Sequence, residues 1–87
     1  MAKYKLEFKQ SVAKDLRSVP NADVRRILNR IEQLAENPRA EDCIKLTGQD
    51  VYRVRVGMYR ILYEIKDEVL VVDLIKVGHR SRVYKTH

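Results

Sequence analysis

Residues 51–85 read VYRVRVGMYRILYEIKDEVLVVDLIKVGHRSRVYK, and the alternation in this stretch decides the fold. Residues 51–56 and 59–65 each alternate apolar with polar side chains, the period of a half-buried strand. Gly57-Met58 lies between them, and a Gly-X pair suits a two-residue hairpin turn. That turn sets a register in which Val56 faces Tyr59, Arg55 faces Arg60, Val54 faces Ile61 and Arg53 faces Leu62. Tyr52, Val54, Val56, Tyr59, Ile61 and Tyr63 then share the side turned to the core. A second turn is expected at Asp67-Glu68. Residues 69–77 follow and are apolar at nearly every position, as in a strand buried on both faces in the middle of a sheet. Asp73 interrupts the run, and its carboxylate needs a basic partner, expected from the Arg60 side. Gly78 ends the strand and releases a basic tail.

Upstream, Tyr4, Leu6 and Phe8 alternate with Lys3, Lys5, Glu7 and Lys9, which predicts a first strand with a polar outer face. Ser11 is positioned to cap a short helix carrying Val12, Leu16 and Val19 at i, i+4 and i+7. Pro20 ends it, because a proline pushes the preceding Val19 out of helical geometry. Asn21 or Asp23 is expected to cap a second helix over 22–36. Val24, Ile27, Leu28, Ile31, Leu34 and Ala35 form its apolar face. Its other side carries Arg26 and Arg30, read as a solvated surface in preference to a nucleic-acid stripe. Asn37-Pro38 stops the helix. Residues 39–50 are a connector anchored by Ile44 and Leu46. The predicted order is β-α-α-β-β-β, an α+β domain with two helices on one face of a small, mostly antiparallel sheet.

An 87-residue chain has room for one domain, here 1–87. Its apolar runs are far shorter than the roughly 20 residues of a membrane span, and residues 1–10 lack the apolar core of a signal peptide. A cytoplasmic protein is expected. The lone Cys43 excludes an internal disulfide and a multi-cysteine zinc site. The net charge is +6, and from Lys76 onward there are four basic side chains and no acid. Such an end suits a polyanion or an acidic protein partner.

Arg53, Arg55 and Arg60 fall on one sheet face, with Arg55 and Arg60 opposite each other. Like charges in that relation are destabilising, where favourable cross-strand pairs give roughly 0.2–1 kcal/mol. A phosphodiester would turn the repulsion into attraction, since the planar guanidinium fork bonds phosphate oxygens in two places. A solvated face with a coincidental cluster is the alternative on pattern alone. No metal set is expected from His79 and His87, no phosphate loop from the isolated glycines, and no cofactor. Nothing in the spacing of Ser81, His79 and Asp73 supports a hydrolytic triad. Metal-free RNA cleavage remains compatible: the 2′-hydroxyl attacks its own phosphate while the protein stabilises charge and moves two protons. Tyr84 has the character of a base-stacking residue, and His79 is of a residue type that carries protons in catalysis.

The order β-α-α-β-β-β resembles the RelE toxins of toxin–antitoxin pairs. So do K-L-x-G at 45–48, Y-R-x-R-x-G-x-Y-R at 52–60 and H-R-x-x-V-Y at 79–84. The resemblance covers essentially the whole chain. It implies a microbial-RNase-like fold and an mRNA interferase that cuts messenger RNA in the ribosomal A site by 2′-hydroxyl attack. It also implies a RelB-like antitoxin partner, with no cofactor, metal or membrane. The family's basic positions fall on Arg53 and Arg55, its phosphate-stabilising arginines on Arg60 and Arg80, and its base-holding tyrosine on Tyr84. Arg80 is also the implied acid. Lys45, Arg82 and Lys85 are candidate RNA contacts. The family's best-studied pattern has lysines at the positions of Arg53 and Arg55, one of them proposed as general base. Arginine, which holds its proton in proteins, is a poor base, which leaves His79 as the candidate proton carrier. Two alternatives stand beside this reading: a ParE-like toxin acting on DNA gyrase, and a non-catalytic RNA- or ribosome-binding module.

Overall fold

The hairpin expected at Gly57-Met58 forms, in the expected register. A computed structural model describes residues 3–48 and 50–79. Their elements are β1 (Lys5–Phe8), α1 (Gln10–Arg17), α2 (Asn21–Glu36), β2 (Ile44–Lys45), β3 (Val51–Val56), β4 (Tyr59–Lys66) and β5 (Val71–His79). The strands lie in the order β1-β5-β4-β3-β2. β1 runs parallel to β5, and the other neighbours are antiparallel. The predicted α+β layering therefore holds, with one extra strand. The connector contains β2, where Ile44 pairs with Arg53 and Lys45 with Tyr52.

The helices and one sheet face bury the core. Val12, Val19, Ile27, Ile31 and Leu34 meet Val54, Ile61, Tyr63, Val72, Leu74 and Val77. Leu28, expected in the helical face, is instead exposed. The predicted caps also differ. Lys9 and Pro20 precede the two helices, and neither forms a side-chain cap bond. Ser11 lies inside α1, and its hydroxyl donates to the Ile75 carbonyl at 2.7 Å. Gly57 suits the hairpin tip because its φ is +57°, a conformation that L side chains rarely adopt; a Cβ there would meet only the exposed tip of the Arg26 side chain, at 3.1 Å.

The second turn spans residues 67–70, longer than the predicted pair, so β5 begins at Val71 and leaves Val69 and Leu70 exposed. Leu70 sits in the left-handed region, at φ +53°, and its carbonyl accepts the Lys5 N–H at 2.7 Å, opening the parallel ladder. The turn is anchored at Asp67. Its carboxylate accepts from two Arg39 nitrogens, at 3.1 and 2.7 Å, and from the Tyr4 hydroxyl at 2.6 Å.

The Arg39 bonds, and secondarily the Tyr4 bond, hold the Asp67 carboxyl below its ordinary value. A carboxyl depressed by folding stabilises the fold above its unfolded pKa, and that contribution is lost as pH falls through the folded one. The thermal midpoint should therefore drop between about pH 5 and pH 2, and Asp67→Asn should flatten part of that drop. Identical pH slopes in a thermal-melt series of both proteins would show that the clamp contributes nothing.

Candidate active site

Cross-strand pairs share a face, so the register assigns the arginines. Val54 and Ile61, opposite each other and fully buried, mark the helix-bearing side. Arg53, Arg55 and Arg60 alternate with them and lie on the other side. Two rows cross that open face. One runs Ile44, Arg53, Leu62, Lys76, and the next runs Arg55, Arg60, Gly78.

The three arginines are not equivalent. Arg55 is exposed and Arg53 half-buried, whereas Arg60 is only 2% exposed. Nothing in the charge pattern separates Arg60 from its two neighbours in exposure. Arg60 places a buried positive charge beneath the surface that Arg55 presents. Ile44, overlooked as a site residue in the sequence, sits in register beside Arg53 with half its surface exposed. The two-residue strand that places it there carries too short a pattern to be read.

Asp73 does not pair with Arg60. It lies in register between Glu7 and Glu64, in a row of three acids. Its buried carboxylate is 2.9 Å from Lys9 Nζ and 3.6 Å from Lys66 Nζ. The Lys9 ammonium is correspondingly held above its ordinary pKa, first by its hydrogen bond to Asp73. A buried carboxylate needs such partners, because desolvation otherwise exceeds its Coulombic gain. The open face is thus polarised, with arginines toward the β3–β4 turn and a lysine-neutralised acidic row toward the far end.

His79 is not brought to the arginines. It pairs with Tyr59 on the helix-bearing face, and the two rings make an edge contact at 5.6 Å. Lys45 lies opposite Tyr52, also on that face, with Asp50 at 3.7 Å. Arg80, Arg82, Tyr84 and Lys85 lie outside the described residues. Among the described residues, no group of three or more His, Cys, Asp and Glu side chains is arranged to hold a metal ion. No helix among them is long and apolar enough to cross a membrane.

A family model described as the ParE toxin of the type II toxin–antitoxin system matches residues 6–84. A putative toxin, RelE1 of Methanocaldococcus jannaschii, is 32% identical over 95% of this chain and 97% of its own length. The chain belongs to the RelE family of the RelE/ParE toxin superfamily. The mRNA interferase toxin RelE of Escherichia coli is another relative of this RelE-family chain, 32% identical over 91% of this chain and 85% of its own. The fold agrees with solved RelE structures. The archaeal RelE–RelB complex of Pyrococcus horikoshii superposes with a TM-score of 0.82 at 34% identity, covering 92% of this chain and 98% of that one. The isolated Escherichia coli RelE toxin gives 0.78 at 32% identity, covering 94% and 92%. As a RelE toxin, the chain is one member of a toxin–antitoxin pair.

Proposed function

We propose that this chain is a ribosome-dependent endoribonuclease that cuts messenger RNA in the A site and is held inactive by a RelB-like antitoxin. The observation that carries the proposal is the Arg55–Arg60 pair, opposed across the hairpin with Arg53 on the same face. It supplies concentrated positive charge where a phosphorane would need it. Relatives named as mRNA interferases, and solved complexes of RelE with RelB, support the activity and the partner.

In the proposed reaction the RNA 2′-hydroxyl passes its proton to solvent and its oxygen bonds to the adjacent phosphorus. The extra negative charge of the phosphorane is met by Arg55 and Arg60. The bond from phosphorus to the 5′-oxygen then breaks, and that oxygen takes a proton. The products are a 2′,3′-cyclic phosphate and a 5′-hydroxyl. The nucleophile comes from the RNA, so the protein supplies orientation, charge and proton transfer. Arg80 is the proposed acid and Tyr84 the proposed base-stacking residue. Arg82 and Lys85 are the proposed contacts to the RNA backbone.

Purified protein added to message-programmed ribosomes should cut within the A-site codon. Intact message under those conditions would overturn the proposal. One observation favours a second reading, a gyrase-directed toxin: the matching family model is described as the ParE toxin. Breaks in DNA that depend on gyrase, with message left intact, would decide for it.

The placement of His79 makes a separate prediction. A general base contributes about 100-fold or more, yet His79 packs against Tyr59 on the other face. His79→Ala should therefore slow cleavage by less than about threefold, with the pH–rate profile between about 6 and 8 unchanged. A larger loss, or the disappearance of an inflection near neutrality, would return His79 to the site.

A further inference from the structure

β5 outruns its parallel neighbour. β1 pairs with it as far as Leu74, and the Lys9 N–H closes that ladder on the Leu74 carbonyl at 3.0 Å. Beyond this point β4 holds one edge of β5, and α1 holds the other. Ser11 Oγ donates to the Ile75 carbonyl at 2.7 Å, and Asp15 Oδ2 accepts the Val77 N–H at 3.0 Å. Asp15 Oδ1 lies 3.7 Å from Lys76 Nζ.

These contacts bracket the register shift in the β4–β5 ladder. Tyr63 pairs with Leu74, but Leu62 pairs with Lys76, so Ile75 is an extra residue. Its consequence follows from the two-residue period of a strand, in which a one-residue slip exchanges the faces. With the bulge, Val77 stands opposite Ile61 in the core and Gly78 stands opposite Arg60. Without it, Lys76 would stand opposite Ile61 and Val77 opposite Arg60. A cation would enter the core, and an isopropyl group would take the place beside the buried guanidinium. At the bulge β1 no longer pairs with β5, so the backbone groups of Ile75 and Val77 on that edge need other partners. The Ser11 hydroxyl and the Asp15 carboxylate provide them from a neighbouring helix.

We propose that Asp15, seconded by Ser11, is a positioning residue of the nucleolytic site. It holds the bulge and thereby sets which face the end of β5 presents beside Arg60. The proposal rests on the ribonuclease reading given above.

Its test uses the full chain on message-programmed ribosomes. Asp15→Ala should lower the rate at saturating ribosomes by about 30- to 100-fold, with ribosome affinity changed less than about twofold. Asp15→Asn keeps an oxygen acceptor for the Val77 N–H and should recover the rate to within about threefold of the original chain. Asp23→Ala, which removes an ion pair to Arg26 on α2, should leave it unchanged. Amide exchange without ribosomes gives a second readout. Val77 should exchange faster in Asp15→Ala than in the original chain or Asp15→Asn, while Val54 and Ile61 stay protected. If Asp15→Ala loses protection throughout, Ser11→Ala replaces it, with a rate loss of about fivefold and the same local exchange. Asp15→Ala cleaving at the original rate, Asp15→Asn as slow as Asp15→Ala, or equal Val77 exchange in all three would overturn the proposal. An original chain that cuts no message overturns the ribonuclease reading instead. Equal Val77 exchange overturns the clamp whether or not message is cut, so the two failures are distinguishable.

Discussion

Arg60→Ala should lower the rate of message cleavage by about 100- to 1,000-fold, the scale on which removing one preorganised charge-stabilising group acts. Arg60 lies opposite Arg55 across the hairpin and opposite Gly78 on β5. It is 2% exposed, so its charge acts in a medium that screens it far less than water does. Arg60→Lys keeps the charge but loses the planar fork, and should recover only part of the rate. Single-turnover cleavage on ribosomes measures both variants. A thermal melt and a titration with the antitoxin guard against simple misfolding. A rate within threefold of the original chain, with the fold intact, would remove Arg60 from the site.

The second large effect is on stability. Tyr63 is fully buried. Its ring stacks on Tyr52 at 5.8 Å, and its hydroxyl donates to the Pro38 carbonyl at 2.7 Å. Burial pushes the phenol pKa well above its ordinary value, so it remains the neutral donor this bond requires. Tyr63→Ala combines a large cavity with an orphaned buried carbonyl and should cost about 3–5 kcal/mol. For a domain of this size that is a large fraction of its total stability. Tyr63→Phe keeps the ring and loses only the hydrogen bond, at about 1–3 kcal/mol. Urea unfolding measures both. Equal midpoints for the two variants would mean that ring burial at this position contributes little.

The parts legible in the sequence are those set by local rules. Gly57-Met58 and the alternation on either side of it specified the hairpin register, because the strand period is two and the turn leaves one alignment. The near-continuous apolar run placed β5 between two strands. What escaped was tertiary. Nothing local announces that β1 lies parallel to β5, and that pairing brings Lys9 to Asp73. The partner of Asp73 was therefore misplaced at Arg60. The Ile75 bulge leaves only a faint trace, the odd spacing of Asp73 and Lys76, which a regular period of two would put on opposite faces and the bulge puts on one. That bulge also sets the face of His79, which the sequence offers as a proton carrier without assigning it a face. The burial of Arg60 was equally hidden, since a cluster of charges ordinarily signals solvent. Ser11 looked like a cap because serine commonly caps helices, yet here its hydroxyl serves the backbone of β5.

The central claim is that the arginine face cuts RNA through the RNA's own 2′-hydroxyl. Its most direct measurement is cleavage of a message on ribosomes with a single 2′-deoxy nucleotide at the scissile position. The all-ribose message should be cut in the A site, leaving a 2′,3′-cyclic phosphate, and the substituted message should stay whole. Cleavage of both messages at the same position would contradict the mechanism.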